Sequence, residues 1–196
     1  MEVDHRRHPD AALEAPVYSA TARFFHWVTV IGIALQIPLG IYMVRRGAAT
    51  NFDAATNTLY SGHKLLGFAL LWFVALRLIY RLVHGAPPDE PTLAWWQKGA
   101  SHFTHWGLYL LLLGVPFLGW LGVSYYGALG TFGGWSLPAI AEQDQEKAHT
   151  VFRYHFLGAL LILVAIAVHI GAAIYHHFFR RDGVLRRMLP GLRQRN

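Results

Sequence analysis

Apolar positions in this chain gather into four long runs, at about residues 24–44, 62–83, 104–124 and 154–179, and do not alternate with polar ones. Each run is close to or longer than the roughly 20 residues an α-helix needs to cross about 30 Å of hydrocarbon. The pattern therefore predicts an all-α protein, an integral membrane four-helix bundle forming one compact domain over residues 18–190. A polar N-terminal segment (1–17) and a basic tail (191–196) flank it. The polar start precedes an apolar run too long for a signal-peptide core, so an uncleaved segment is expected. Pro87, Pro88 and Pro91 exclude regular helix ahead of Ala94, Trp95 and Trp96, whose paired indoles suit a membrane interface. The 124–148 connection is rich in Gly, Tyr and Trp and long enough to cap the bundle. Pro38 and Pro116 fall inside runs one and three, where a bundle tolerates kinks.

Charge sets the orientation. Four spans put both termini on one side, and 12 of the 17 Lys and Arg lie there, counting the 84–101 loop. The positive-inside rule makes that side cytoplasmic. The net charge of +6 does not point to nucleic acid, because the basic residues flank apolar spans and form no soluble basic face. The lipid bilayer is their natural partner. The C-terminal stretch FFRRDGVLRRMLPGLRQRN mixes cations with Val184, Leu185, Met188 and Leu189, the pattern of an interfacial helix on the cytoplasmic leaflet.

Composition narrows the chemistry. With no cysteine, the chain supplies no disulfide, no thiolate for an iron–sulfur cluster and no thioether attachment for haem. Twelve histidines remain, so imidazole is the expected iron ligand and the haem non-covalent. Ionisable groups at membrane depth are costly and mark function. In run four, His155 and His169 are 14 residues apart, about 21 Å of helical rise and about 40° around the axis. One helix face thus offers two imidazoles at two depths. His63 enters from the outside with His155, and His26 enters from the cytoplasm at the level of His169. Two imidazoles from facing helices clamp one iron from both sides, which suits electron transfer. The expected site is two bis-histidine b-type haems, held by His63 with His155 and by His26 with His169.

Other histidines compete. His102 and His105, spaced i, i+3, share the depth of His26 and would replace a ligand or serve a quinone or proton. His149 rivals His155 but points about 120° off its face. His5, His8, His84, His176 and His177 lie in polar or terminal positions. Haem propionates need cationic partners, for which Arg77, Arg81, Lys64 and Arg153 are placed, although Arg81 and Arg153 also suit simple snorkelling.

These residues resemble the bacterial cytochrome b-561 family, related to the cytochrome b subunits of nickel hydrogenases and formate dehydrogenases. The likeness runs from about Tyr18 to Pro190 and rests on RFFHW, SGHKLLG, the spacing of His155 and His169, and HHFFRRDGVLRRMLPG. The resemblance implies haem b ligated at His26, His63, His155 and His169, quinone as electron partner and the bacterial inner membrane. Some relatives oxidise superoxide and reduce quinone, and Arg45, Arg46, Lys64, Lys147 and Arg153 would attract an anion to the outer face. Propionate pairing and ordinary loop charge are the favoured account of these residues. Three readings stay open: a free-standing electron-transfer cytochrome, a membrane anchor and electron conduit of a larger dehydrogenase docked outside, and a histidine-lined metal or proton transporter. No hydrolytic triad or phosphate loop is present, so any catalysis is expected to be redox.

Overall fold

The computed structural model describes residues 17–189 and 191. Four helices dominate: α1 (Ala20–Thr50), α2 (Ala54–His84), α3 (Trp95–Tyr126) and α4 (Gln145–Tyr175). The last continues into a π-helical turn, His176–Arg180. Among the described residues the only strand-like feature is a single bridge between Gly130 and Ser136.

Each helix begins several residues before its apolar run because polar caps prolong it at the N-terminal end. Ser19 Oγ accepts from the Ala22 amide at 3.1 Å, Asp53 Oδ1 from Thr56 at 2.8 Å, and Asp144 from Lys147 at 3.0 Å. The Ala94 amide donates to the Gln97 side chain at 2.9 Å. Each satisfies an amide that has no partner within its own helix. Helices of 31 or 32 residues are about 46–48 Å long, so their ends stand clear of about 30 Å of hydrocarbon. Pro38 and Pro116 both lie within continuous helices.

Outward faces are apolar. Phe103 is 81% exposed and Leu110 74%, a surface that fits lipid and not water. The interior is a small cluster of Val74, Tyr109, Leu112, Val115 and Ile162. α3 packs most extensively on α4, α1 on α2, and α2 on α3. α4 approaches α1 and α2 less closely than these pairs, and histidines span the wider spacing.

At the end opposite the termini, α1 turns into α2 through Asn51 and Phe52, both with positive φ, and Asp53. The Asp53 carboxylate is held down to about 2 by the Thr56 hydroxyl and amide, then by Arg46, whose guanidinium stands 2.6 Å away. The 127–144 connection folds against the same end. Trp120 Nε1 donates to the Pro138 carbonyl at 2.8 Å, and Lys64 Nζ donates to the carbonyls of Ala128 and Gly130.

The C-terminal segment departs from the expected interfacial helix. Arg181 takes positive φ, the chain reverses, and among the described residues beyond it the helical structure is a short 3-10 turn at Leu185–Arg187. The turn is tied back onto the bundle: the Tyr18 amide donates to the Arg187 carbonyl, Trp27 Nε1 to Met188, and Arg180 to the Thr92 carbonyl. Arg187 is buried and donates to the Pro88 carbonyl at 2.5 Å. These long-range partners outweigh the local amphipathic pattern. The proposed segment 1–17, apart from Val17, and the tail beyond Gly191 lie outside the described residues, as do His5 and His8.

Candidate metal centre

Helix direction brings the histidines together in twos. α1 starts at the termini end and carries His26 in its second turn; α4 arrives there carrying His169. Their ring centroids are 6.2 Å apart with planes at 63°. At the opposite end, His63 of α2 faces His155 of α4 at the same 6.2 Å, with planes at 82°. The pairs meet as depth and helical phase predict. An iron–nitrogen bond of about 2 Å, with a ring centroid about 1.1 Å further out, puts two imidazoles on one iron about 6 Å apart, centre to centre.

Which nitrogen faces inward depends on the neighbours. His155 Nδ1 donates to the Val115 carbonyl at 2.8 Å, leaving Nε2 as the lone-pair nitrogen. His63 Nδ1 is buried with no hydrogen-bond partner among the described residues, while Gln36 Nε2 donates to the His63 carbonyl at 2.9 Å. His26 Nδ1 accepts from Arg77 at 3.1 Å, and that guanidinium lies over the Tyr109 ring, 5.3 Å from its centroid.

His105 lies inside as well. Its ring is 5.3 Å from that of His169, and its Nδ1 donates to the Ser101 carbonyl at 2.7 Å. Three imidazoles therefore meet near the termini end and two at the other. His102 is elsewhere, 3.2 Å from both carboxylate oxygens of Asp89. His176 is taken by Asp182 at 2.5 Å, His84 stacks on Tyr80, and His149 is exposed.

The cations separate by partner. Arg77 points at the inner site, beside a cleft of about 30 Å³ lined by Tyr18, Tyr80, Arg81, Tyr109 and Met188. Arg81 also lies over the Trp106 ring. Lys64 is engaged by loop carbonyls, Arg46 by Asp53 and Lys147 by Asp144 at 2.8 Å. Arg45 and Arg153 are exposed. Sequence reasoning did not reach Gln36, the Val115 carbonyl or Asp89. A glutamine in mid-span is a visible signal at membrane depth, whereas a backbone acceptor on a neighbouring helix has none.

A family model described as prokaryotic cytochrome b561 matches residues 17–191. Cytochrome b561 homolog 2 of Escherichia coli (strain K12) is 27% identical over 173 residues, covering 88% of this chain and 90% of its own. A probable superoxide oxidase CybB of Yersinia pestis is 30% identical over 128 residues, 65% of this chain and 73% of that protein. A probable Ni/Fe-hydrogenase B-type cytochrome subunit of Cupriavidus necator is 22% identical over 214 residues, covering 90% of this chain and 86% of its own.

Proposed function

Because the chain belongs to the prokaryotic cytochrome b561 family, which implies b-type haem and electron transfer, we propose that it is a di-haem cytochrome of the bacterial inner membrane. It carries electrons between a donor on the outer face and the quinone pool, with both termini in the cytoplasm. The single observation that carries the reading is the pair of imidazole pairs, each at 6.2 Å, one near each end of the bundle.

When bound, haem supplies one-electron redox chemistry. The chain's own residues do the rest. His63 with His155 would hold the outer iron and His26 with His169 the cytoplasmic one. About 21 Å of α4 separates the two levels, and α4 serves both. Arg77 is the partner for the cytoplasmic propionates. Its N–H, directed at His26 Nδ1, would be free to meet a propionate carboxylate beside that ring. Arg153 is a secondary propionate candidate, Lys64 being engaged by the Ala128 and Gly130 carbonyls, and His105 sits where quinone or a proton would meet the cytoplasmic haem.

The relative named as a superoxide oxidase supports superoxide as the outer donor, oxidised to dioxygen as quinone is reduced. The hydrogenase subunit relative supports a second reading, an electron conduit for an externally docked dehydrogenase. Haem extraction and reduced-minus-oxidised spectra of the purified protein test the core claim. Two b-type haems per chain are expected; a colourless protein would sink it and favour a transporter. Stopped-flow superoxide decay with and without quinone then tests the donor, and isolation with a second polypeptide would favour the conduit.

A further inference from the structure

The two outer histidines are seated alike. A Cβ built on Gly40 of α1 would stand 2.9 Å from His63 Cε1 and 3.3 Å from Nδ1, but 3.8 Å from Nε2. A Cβ on Gly119 of α3 would stand 3.0 Å from His155 Cε1 and 3.1 Å from Nδ1, but 3.9 Å from Nε2. In each case the Cε1–Nδ1 edge of the ring lies against the bare backbone of the adjacent helix, and Nε2 is the remote nitrogen. A Cβ closer than 3.0 Å, as at Gly40, forces the ring to shift, and one at 3.0–3.4 Å, as at Gly119, requires the ring to give by a few tenths of an ångström.

The likeness extends one helical turn back. Four residues before Gly119 is Val115, whose carbonyl accepts from His155 Nδ1 at 2.8 Å. Four residues before Gly40 is Gln36, whose side chain grips the His63 carbonyl at 2.9 Å in a notch where a Cβ on Gly67 would meet it at 2.8 Å. His63 Nδ1 and Gln36 Oε1 are both buried without a hydrogen-bond partner among the described residues. The cytoplasmic pair is held differently, with His26 Nδ1 facing a guanidinium.

We propose that Gly40 and Gly119 are positioning residues for the outer haem, forming paired seats that admit the His63 and His155 rings edge-on against neighbouring helices and turn both Nε2 atoms toward each other. Neither glycine has positive φ, so neither is required by backbone conformation. Alanine is moreover the better helix former; helix propensity alone predicts that Gly→Ala strengthens α1 and α3. A steric seat predicts the opposite for one haem only. This inference rests on the di-haem reading above.

The test compares haem content and redox titrations of the wild type with Gly40→Ala, Gly119→Ala and Gly114→Ala, the last lying where an added Cβ has nothing within 4 Å. Wild type and Gly114→Ala are expected to hold two haems. Gly40→Ala and Gly119→Ala should each hold about one, with the potential and spectrum of the retained haem unchanged. Two haems with unshifted potentials in both seat variants overturn the proposal; a haem-free wild type overturns the functional reading instead. Should Gly119→Ala fold poorly, His155→Gly with and without Gly119→Ala is titrated with free imidazole, which can shift away from the methyl group. Recovery of the outer low-spin spectrum in both supports the seat. Recovery only without Gly119→Ala overturns it, because the damage would then lie in the helix.

Discussion

Three imidazoles meet at the termini end, where the proposed bis-histidine site takes two, so replacing His26 and His105 in turn asks which one faces His169. His26 stands 6.2 Å from His169, the separation of about 6 Å that an iron clamped between two imidazoles requires. His105 stands at 5.3 Å, so it would have to retreat by roughly an ångström. Its Nδ1 bond to Ser101 at 2.7 Å holds it where it is. Breaking such a bond costs about 1 kcal/mol net, and a displaced rotamer about another. Together, about 2 kcal/mol corresponds to roughly 30-fold weaker haem binding. His26→Ala is therefore expected to lose the cytoplasmic haem, leaving about half the total, while His105→Ala keeps both. Haem extraction normalised to protein, with potentiometric titration of the reduced bands, reads the outcome. Loss of one haem in His105→Ala with two retained in His26→Ala would refute the assignment and make His105 the ligand.

Two further predictions concern the outer end. Lys64→Met removes two hydrogen bonds from the ammonium to the Ala128 and Gly130 carbonyls, about 2 kcal/mol after allowance for partial exposure; faster amide exchange over residues 127–143 with two haems retained is expected, whereas loss of the outer haem would make Lys64 a propionate partner instead. Asp53→Ala should lower the Tm in detergent at pH 7, because the native carboxylate is held down to about 2 by Thr56 and Arg46. A depressed carboxylate stabilises the fold above its ordinary value of 3.8, and that contribution is lost as pH falls through about 2. The gap between wild type and variant should narrow over that interval; a gap unchanged at lower pH would show that the neutral carboxyl caps α2 as well as the carboxylate and that its charge contributes nothing.

Much of the architecture follows from local pattern. Apolar runs of span length leave the backbone no alternative to helix in hydrocarbon, and a fixed rise of about 1.5 Å per residue converts sequence separation into depth. That is why His155 and His169 could be matched to His63 and His26 before any contact was known. Limits of the helices were less legible, because hydropathy marks where lipid ends, and caps such as Ser19, Asp53 and Asp144 carry helix past that boundary.

What no local pattern contained were the partners that arrive from other helices. Amphipathic spacing after Arg180 reads as an interfacial helix, yet contacts to Tyr18, Trp27, Pro88 and Thr92 fold that segment back. Lys64 beside a histidine reads as a propionate partner, yet the 127–144 connection supplies it with carbonyls. The bond from His155 to the Val115 carbonyl, the contact of Arg77 with His26 and the glycine seats at Gly40 and Gly119 arise from how close adjacent helices come and how they are rotated. Run length and helical pitch act along one chain segment and are written in it. Tautomer, seat and ion partner are set between segments, so they came into view with the packed bundle.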